Sequence, residues 1–324
     1  MFLIIGTTTL DLIQGGIAKM PTVQGDEFTV DSLVFCDKPL QMRLGGNGAN
    51  SAYMLAKLGA AVTLGSAIGQ DPAGDLLYRP LAEVGVDMRG LLRHPQAATS
   101  VTTVVSDRAR NRLAFHHAGA SHSYSPHDLP HAICAETTVL LIASYTLFLR
   151  WRATGFATLL RQVKSQGGIT AIDIGPAIGE PATLEEIAFL LPDVDYFVCN
   201  RHELAVCTNV DETADGIAVG MAQILAAGSG SVITKCGADG ALVQRAEDGR
   251  PLTIPGFPVT TQDTVGAGDS FNAGLLYAIK QDQDLFTATR FANGVAALVI
   301  ESAEGVINGP TAAQVNNFLQ IHSQ

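Results

Sequence analysis

The feature that most constrains this chain of 324 residues is a regular exchange between short apolar runs and stretches with helical signals that end in glycine. FLII near the start, VTLGSAI after Ala61, VLLIA after Thr138, ITAIDI after Gly168, YFVC after Asp195 and SVITKC after Gly230 each have the length of a buried strand. Between them lie Asn50 to Leu58, Asp75 to Val84 and Ala153 to Gln166, closed by Gly59, Gly85 and Gly167, where a left-handed residue commonly ends a helix. A strand that is apolar on both faces must be covered on both. The alternation therefore predicts an α/β chain with a doubly wound, mostly parallel central sheet and helices on both faces.

Two regions break the alternation, residues 12–44 and 99–118. There β-favouring FTV, LVF, SVTTVV and LAF occur with turn residues and no helical period. They predict a small separate sheet over the carboxyl edge of the main one, where ligands of such folds bind. Edge hairpins without catalytic consequence are the plainer alternative. With no repeat, low-complexity tract or linker in sight, residues 1–324 read as a single unit with this sheet as its subdomain.

A hydrophobic content of 47% against 16% charged residues allows a substantial core. Lys and Arg number 20 against 31 Asp and Glu, so the net charge of -11 provides no broad basic surface and nucleic acid is not an expected partner. An acidic chain can still bind phosphate through backbone N–H groups and a helix N-terminus. Cys36, Cys134, Cys199, Cys207 and Cys236 are scattered without a C-x-x-C pair, which points away from a disulfide framework or zinc site and toward a reducing cytoplasm. The opening MFLIIGTTTLD has no basic segment before its short apolar run, so no secretory signal is expected. The apolar stretch from Val139 to Leu149 is shorter than a membrane span and reads as a buried strand running into a loop; no membrane partner is expected.

From Asp263 the chain reads DTVGAGDSFNAGLLYAIK, in which Gly266, Ala267 and Gly268 precede a helix that turns Phe271, Leu275, Leu276 and Ala278 to the core. Small residues there let first-turn N–H groups approach an anion, and the helix dipole favours phosphate. Asp269 stands in that turn. It reads either as a helix cap, worth about 1 kcal/mol, or as a base that takes a proton from an attacking hydroxyl, worth roughly 10² to 10⁴ in rate. A Walker A loop is absent, because Asp269 rather than Lys follows Gly268, and Gly6 is followed by Thr7, Thr8 and Thr9 rather than a dinucleotide fingerprint, which points away from a nicotinamide-dependent oxidoreductase. Upstream, GGNGANSAYMLAKLGA from Gly45 to Ala60 is a second glycine turn leading into an amphipathic helix.

Together, in this order and at this separation, the two glycine segments resemble the signature pair of the PfkB, or ribokinase-like, carbohydrate kinases. The resemblance extends over essentially the whole chain through IGQDPAGD, NRHE and ITKCGADGALV. It implies transfer of the γ-phosphate of ATP to a hydroxyl held by Asp11, Gly45, Gly46, Asn47 and Asn50. It makes Asp269 the base and Gly266, Ala267 and Gly268 the donors to developing charge. It also implies a nucleotide side formed by Asn200, Thr234, Gly237, Gly268 and Asn293, Glu203 acting on Mg²⁺ through water, and Asp263 at a monovalent-cation site for K⁺. The β regions would form the family's lid, excluding water and building a homodimer.

Thr9 and Asn47 depart from residues that many relatives carry beside the acceptor, and Glu301 and Glu304 are unusual in the late loop. These departures leave the acceptor open between sugars and, as the near alternative, nucleosides. A catalytically silent nucleotide or sugar sensor on the same fold is the alternative from another class. His94, His116, His117, His122, His127 and His131 crowd the first half, but their spacing places no ligand set on one rigid element. His116 and His117, with Arg110 and Arg112, either line the lid's inner side, favouring an anionic acceptor, or form a solvated strand edge.

Overall fold

The computed structural model describes residues 1–17, 23–24, 27–28, 35–109, 111–152, 154–177 and 179–322. Arg110, Ala153 and residues 18–22, 25–26 and 29–34 of the expected lid lie outside the described residues. The strands are β1 (Phe2–Ile5), β2 (Thr9–Ile17), β3 (Val23–Gln24), β4 (Glu27–Phe28), β5 (Gln41–Gly45), β6 (Val62–Gly69), β7 (Leu91–His94), β8 (Ser100–Asp107), β9 (Arg112–His117), β10 (Val139–Ala143), β11 (Ile169–Asp173), β12 (Tyr196–Asn200), β13 (Ser231–Lys235), β14 (Ala241–Arg245) and β15 (Leu252–Ile254).

Among the described residues nine strands form the main sheet in the order β15-β14-β13-β12-β11-β10-β1-β6-β7. Every pair from β13 to β7 is parallel, and β14 and β15 close the other edge antiparallel. Period-two alternation explains why the central strands are apolar throughout. Phe2 and Ile4 enter one core while Leu3 and Ile5 enter the other, and Val139, Leu141 and Leu140, Ile142 divide in the same way. Helices Asn47–Lys57, Ala267–Lys280 and Leu285–Ile300 cover the first face; Gly155–Ser165, Arg201–Thr208 and Ala214–Ala226 cover the second. The doubly wound expectation therefore holds.

The chain leaves β1 toward β6 and β7 on one side and returns to β10 on the other, so strand order reverses beside β1. Such a reversal opens a crevice at the carboxyl ends of the strands. Over it lies a second sheet, order β5-β2-β8-β9, in which β2 runs parallel to β8 and antiparallel to β5. It starts at Thr9, earlier than the expected residue 12, and runs through Gly45. Asp11 and Gly45 are thus members of the small sheet itself.

Helix ends match the glycine signals, with Gly59, Gly85 and Gly167 at φ of 93°, 96° and 75°. The predicted loop after Ala143 is instead a 3₁₀ turn, Tyr145–Leu147, and a short helix, Leu149–Arg152. Trp151 there is buried against the rings of Tyr124 and Phe156, and that aromatic packing orders the segment. No helix among the described residues is long and apolar enough to cross a membrane.

Candidate active site

Two helix starts meet at the crevice. Gly266 caps Ala267–Lys280 at φ 76° with no side-chain cap, which leaves the positive helix end open to an anion. Only glycine suits that position, because a Cβ would also come within 2.7 Å of Val306 Cγ1. Asp269 does not cap its own helix, so the capping reading fails. Its Oδ2 accepts a hydrogen bond from Asn50 Nδ2 at 2.8 Å, and its carbonyl accepts one from Ser51 Oγ at 3.2 Å. Both donors belong to the other helix, Asn47–Lys57. Burial, foremost, pushes the Asp269 carboxyl up to about 6, with repulsion from Asp173 and Asp11 adding to it. The Asn50 bond and the Lys235 charge pull the other way.

Asp11 approaches from the small sheet. Its carboxylate lies so close over Gly45 that a Cβ there would sit 2.2 Å from Asp11 Oδ2. The glycine therefore makes room for the carboxylate. Burial raises Asp11 to about 6, against the Thr102 hydroxyl bond and the Arg43 charge. Asn47 begins the neighbouring helix and donates its backbone N–H to Thr7 Oγ1 at 3.2 Å. Asn50 is buried, and its Oδ1 has no hydrogen-bond partner among the described residues.

A third group of residues was not singled out from the sequence. Lys235 Nζ pairs with buried Asp173 Oδ2 at 2.7 Å and lies 3.5 Å from Asn272 Oδ1, while Asn272 Nδ2 donates to the same Asp173 oxygen. Lys235 Nζ is also 3.5 Å from where a Cβ of Gly268 would stand, so the ammonium borders the glycine loop. Burial works against its charge, yet Asp173 and Glu203 outweigh that and hold its pKa above the ordinary value. Glu203 is pushed up to about 7, first by burial and then by Asp173. Asn200 and Glu203 also form a reciprocal cap, Glu203 N to Asn200 Oδ1 at 2.8 Å and Asn200 N to Glu203 Oε2 at 2.7 Å. The routine capping reading of this pair is thus realised, and the pair still faces Lys235 and Asp269 electrostatically.

Other expected residues stand apart from this cluster. Thr234 is fully buried, its hydroxyl 3.7 Å from Cys199 Sγ. Asn293 donates to the carbonyls of Ile254 and Pro255 at 3.1 and 3.0 Å, tying its helix to β15. Gly237 opens a 3₁₀ turn at the carboxyl end of β13. Asp263, expected at a cation, is already neutralised: it forms an ion pair with Arg43 and accepts from Val265 N at 3.0 Å. In IGQDPAGD, Asp71 is a structural residue that accepts from Gly74 N at 2.8 Å and Thr99 N at 2.7 Å. Among the described residues no group of three or more His, Cys, Asp and Glu is arranged to hold a metal.

Signals for the missed residues existed. Asp173 and Lys235 end two predicted strands at the sheet edge where ligands bind, and position alone qualified them. Ser144 follows β10 at the same edge in a left-handed conformation, φ 71°, with its Oγ buried and without a hydrogen-bond partner among the described residues. A strained non-glycine residue of this kind has no sequence signature.

A family profile described as pfkB family carbohydrate kinase matches residues 25–312. The chain is similar to the ribokinase of Haemophilus influenzae, at 26% identity covering 95% of this chain and 97% of the relative. It is 24% identical to the nucleoside kinase of Methanothermobacter thermautotrophicus, over 98% of this chain and 94% of that one. In structure it resembles Arabidopsis thaliana ribokinase complexed with ribose and ATP, with a TM-score of 0.85, 22% identity and 98% of each chain covered, a likeness of fold.

Proposed function

The chain belongs to the pfkB family of carbohydrate kinases, and from that premise we propose that it transfers the γ-phosphoryl group of ATP to a hydroxyl of a sugar or sugar-like acceptor, with Asp269 as base. The observation that carries this reading is the 2.8 Å bond between Asn50 and Asp269, which joins the Gly45–Asn50 turn to the open helix start at Gly266. One carboxylate then faces both an acceptor hydroxyl and an anion site, the geometry that phosphoryl transfer requires.

Asp11, with Gly45, Gly46, Asn47 and Asn50, holds the acceptor. Asp269 takes the hydroxyl proton on a carboxylate oxygen while Asn50 fixes its orientation. The N–H groups of Gly266, Ala267 and Gly268 and the ammonium of Lys235 stabilise charge on the transferring group. Asp173, Glu203 and Asp269 surround one lysine. That excess of negative charge repels a bare triphosphate and suits phosphate that arrives with Mg²⁺. A hard cation that keeps most of its waters and meets one carboxylate needs no protein cage, in keeping with Glu203 acting through water. When bound, Mg²⁺ and ATP supply the phosphoryl group and screen its charge. Asn200, Gly237 and Gly268 line the nucleotide side, with Thr234 and Asn293 shaping its walls from within.

In this reading residues 1–324 form one kinase unit, and the lid from 12–44 and 99–118 excludes water. A homodimer through the lid accounts for the exposed Leu113 and Phe115 on edge strand β9, and a cytoplasmic site accords with the scattered cysteines. Coupled ADP-release assays with Mg²⁺ across pentoses, hexoses, sugar acids, sugar phosphates and nucleosides test the proposal. Acceptor-dependent ADP formation is expected; nucleotide and sugar binding without any ADP would make the chain a sensor instead.

A further inference from the structure

Strand register aligns four side chains across the small sheet. Arg43 of β5 pairs with Asp11 of β2, Asp11 with Thr102 of β8, and Thr102 with His116 of β9. Cross-strand partners share a face, so Arg43, Asp11, Thr102 and His116 form one row. That face looks into the crevice: Arg43 reaches Asp263 beside the glycine loop, and the Asp11 charge is felt at Asp269. The adjacent row carries Leu10 and Leu44 on the opposite face, buried in the main core.

Thr102 also links its two neighbours in the row: its Oγ1 lies 3.0 Å from His116 Nδ1, and its hydroxyl favours the ionised form of Asp11. A threonine hydroxyl has one proton. Where that proton is turned to Asp11, the His116 contact takes its proton from Nδ1, and Nε2 keeps its lone pair for an incoming hydroxyl. Burial, helped by His117 and His122, lowers the His116 pKa and so favours this neutral form. The row holds no cation for an acidic ligand, since Arg43 is matched by Asp263. Arg112 shares the face but lies four residues along β9, roughly 13 Å away, beyond a monosaccharide held at Asp11.

Resting on the kinase reading above, we infer that His116 is a specificity-determining residue whose Nε2 accepts a hydrogen bond from an acceptor hydroxyl remote from the one phosphorylated. The site accordingly takes neutral, polyhydroxylated acceptors and disfavours sugar phosphates and sugar acids, whose charge would stand beside Asp11.

The test measures ADP release by the full chain with ribose, fructose and adenosine as neutral probes and with ribose 1-phosphate and gluconate as anionic ones. The best neutral acceptor is then tried as its monodeoxy analogues with wild type, His116→Phe and His116→Gln. Phe keeps the ring without the lone pair, whereas Gln restores an acceptor. The expected result is a KM about threefold to tenfold higher for His116→Phe, recovered in part by His116→Gln, with kcat little changed. One deoxy analogue should cost the wild type the same factor and cost His116→Phe nothing further, a coupling that a purely structural role does not produce. Anionic probes turned over as well as neutral ones, or equal sensitivity of every variant to every analogue, would overturn the inference and leave the kinase reading intact. No ADP with any probe would sink both.

Discussion

The side-chain amide of Asn50 donates to the carboxylate of Asp269 across 219 residues of chain, and among the described residues it is the side-chain bond that opposes the burial of that charge. A hydrogen bond to the ionised form lowers a carboxyl pKa, so removing it raises the pKa. Asn50→Ala is therefore expected to move the acid limb of kcat/KM to higher pH than in the parent and to reduce activity about tenfold to a hundredfold near neutrality. A pH–rate profile of the variant checks this; an unchanged midpoint would show that the bond does not govern the base.

Asp11 and Asp269 are both raised from 3.8 to about 6. In the proposed mechanism both act ionised, one holding the acceptor and the other taking its proton. Activity should then fall as the pH drops through 6, more steeply than for one proton, because each protonation removes a needed charge. Asp11→Asn leaves a single titrating group. Its limb should be shallower, with kcat/KM lowered about a hundredfold by weaker acceptor binding. The slope of log kcat/KM against pH in the two proteins decides the matter.

The sheet and both glycine segments were legible because their signals are local: apolar runs of strand length, glycine at Gly59, Gly85 and Gly167, and small residues before two helices. Of the Asp173–Lys235–Asn272 cluster only the strand-end positions of Asp173 and Lys235 were legible, not the cluster itself. Its members lie 62, 37 and 99 residues apart, brought together by strand order rather than by any periodic pattern. The same holds for Asp263. A resemblance can place it near a cation, but only the fold brings the Arg43 guanidinium of β5 against it. Likewise, Asp11 and His116 read as separate loop or strand residues until the register sets them in one row.

Arg43 connects the small sheet to the loops below through Asp263 and the Ala303 carbonyl at 2.9 Å, and its guanidinium also donates to Gln41 Oε1 of its own strand at 2.6 Å. Since the carboxylate already has its counter-charge, exchanging K⁺ for Na⁺ should change kcat/KM by less than about twofold. Arg43→Ala strands Asp263 mostly buried, which should destabilise the fold by about 1–3 kcal/mol and raise KM for the acceptor. Denaturant unfolding and cation-exchange assays read the two effects separately. Strong activation of the parent by K⁺ would show that the ion pair is not a substitute for a bound cation.

Lys235 is the cation beside Gly268, and Asp173 with Asn272 holds it in place. If its ammonium stabilises charge that grows during transfer, Lys235→Met should lower kcat about 10²- to 10³-fold while acceptor KM changes little. The change also leaves Asp173 buried without its partner, so a stability loss is expected and must be separated from the kinetic one. Lys235→Met/Asp173→Asn removes both charges. Restored stability without restored kcat would establish a role in transfer; recovery of kcat as well would reduce Lys235 to a structural partner.

Asp269→Asn should lose about 10² to 10⁴ in kcat yet stabilise the protein, and the sign follows from the raised pKa. With the native carboxyl at about 6 against an ordinary 3.8, the folded state holds the proton over that interval while the unfolded chain releases it. Stability of the parent therefore falls as pH rises through the window, and above it the ionised carboxylate is a standing cost to the fold. Asparagine keeps an oxygen that can accept from Asn50 Nδ2 and removes that cost. The variant should melt above the parent at about pH 8, and the difference should vanish at about pH 4, where the parent carboxyl is protonated. Thermal unfolding at the two pH values provides the comparison. A variant less stable at the higher pH would mean that Lys235 and Asn50 already compensate the charge in full, and that the carboxylate is not held ready to accept a proton.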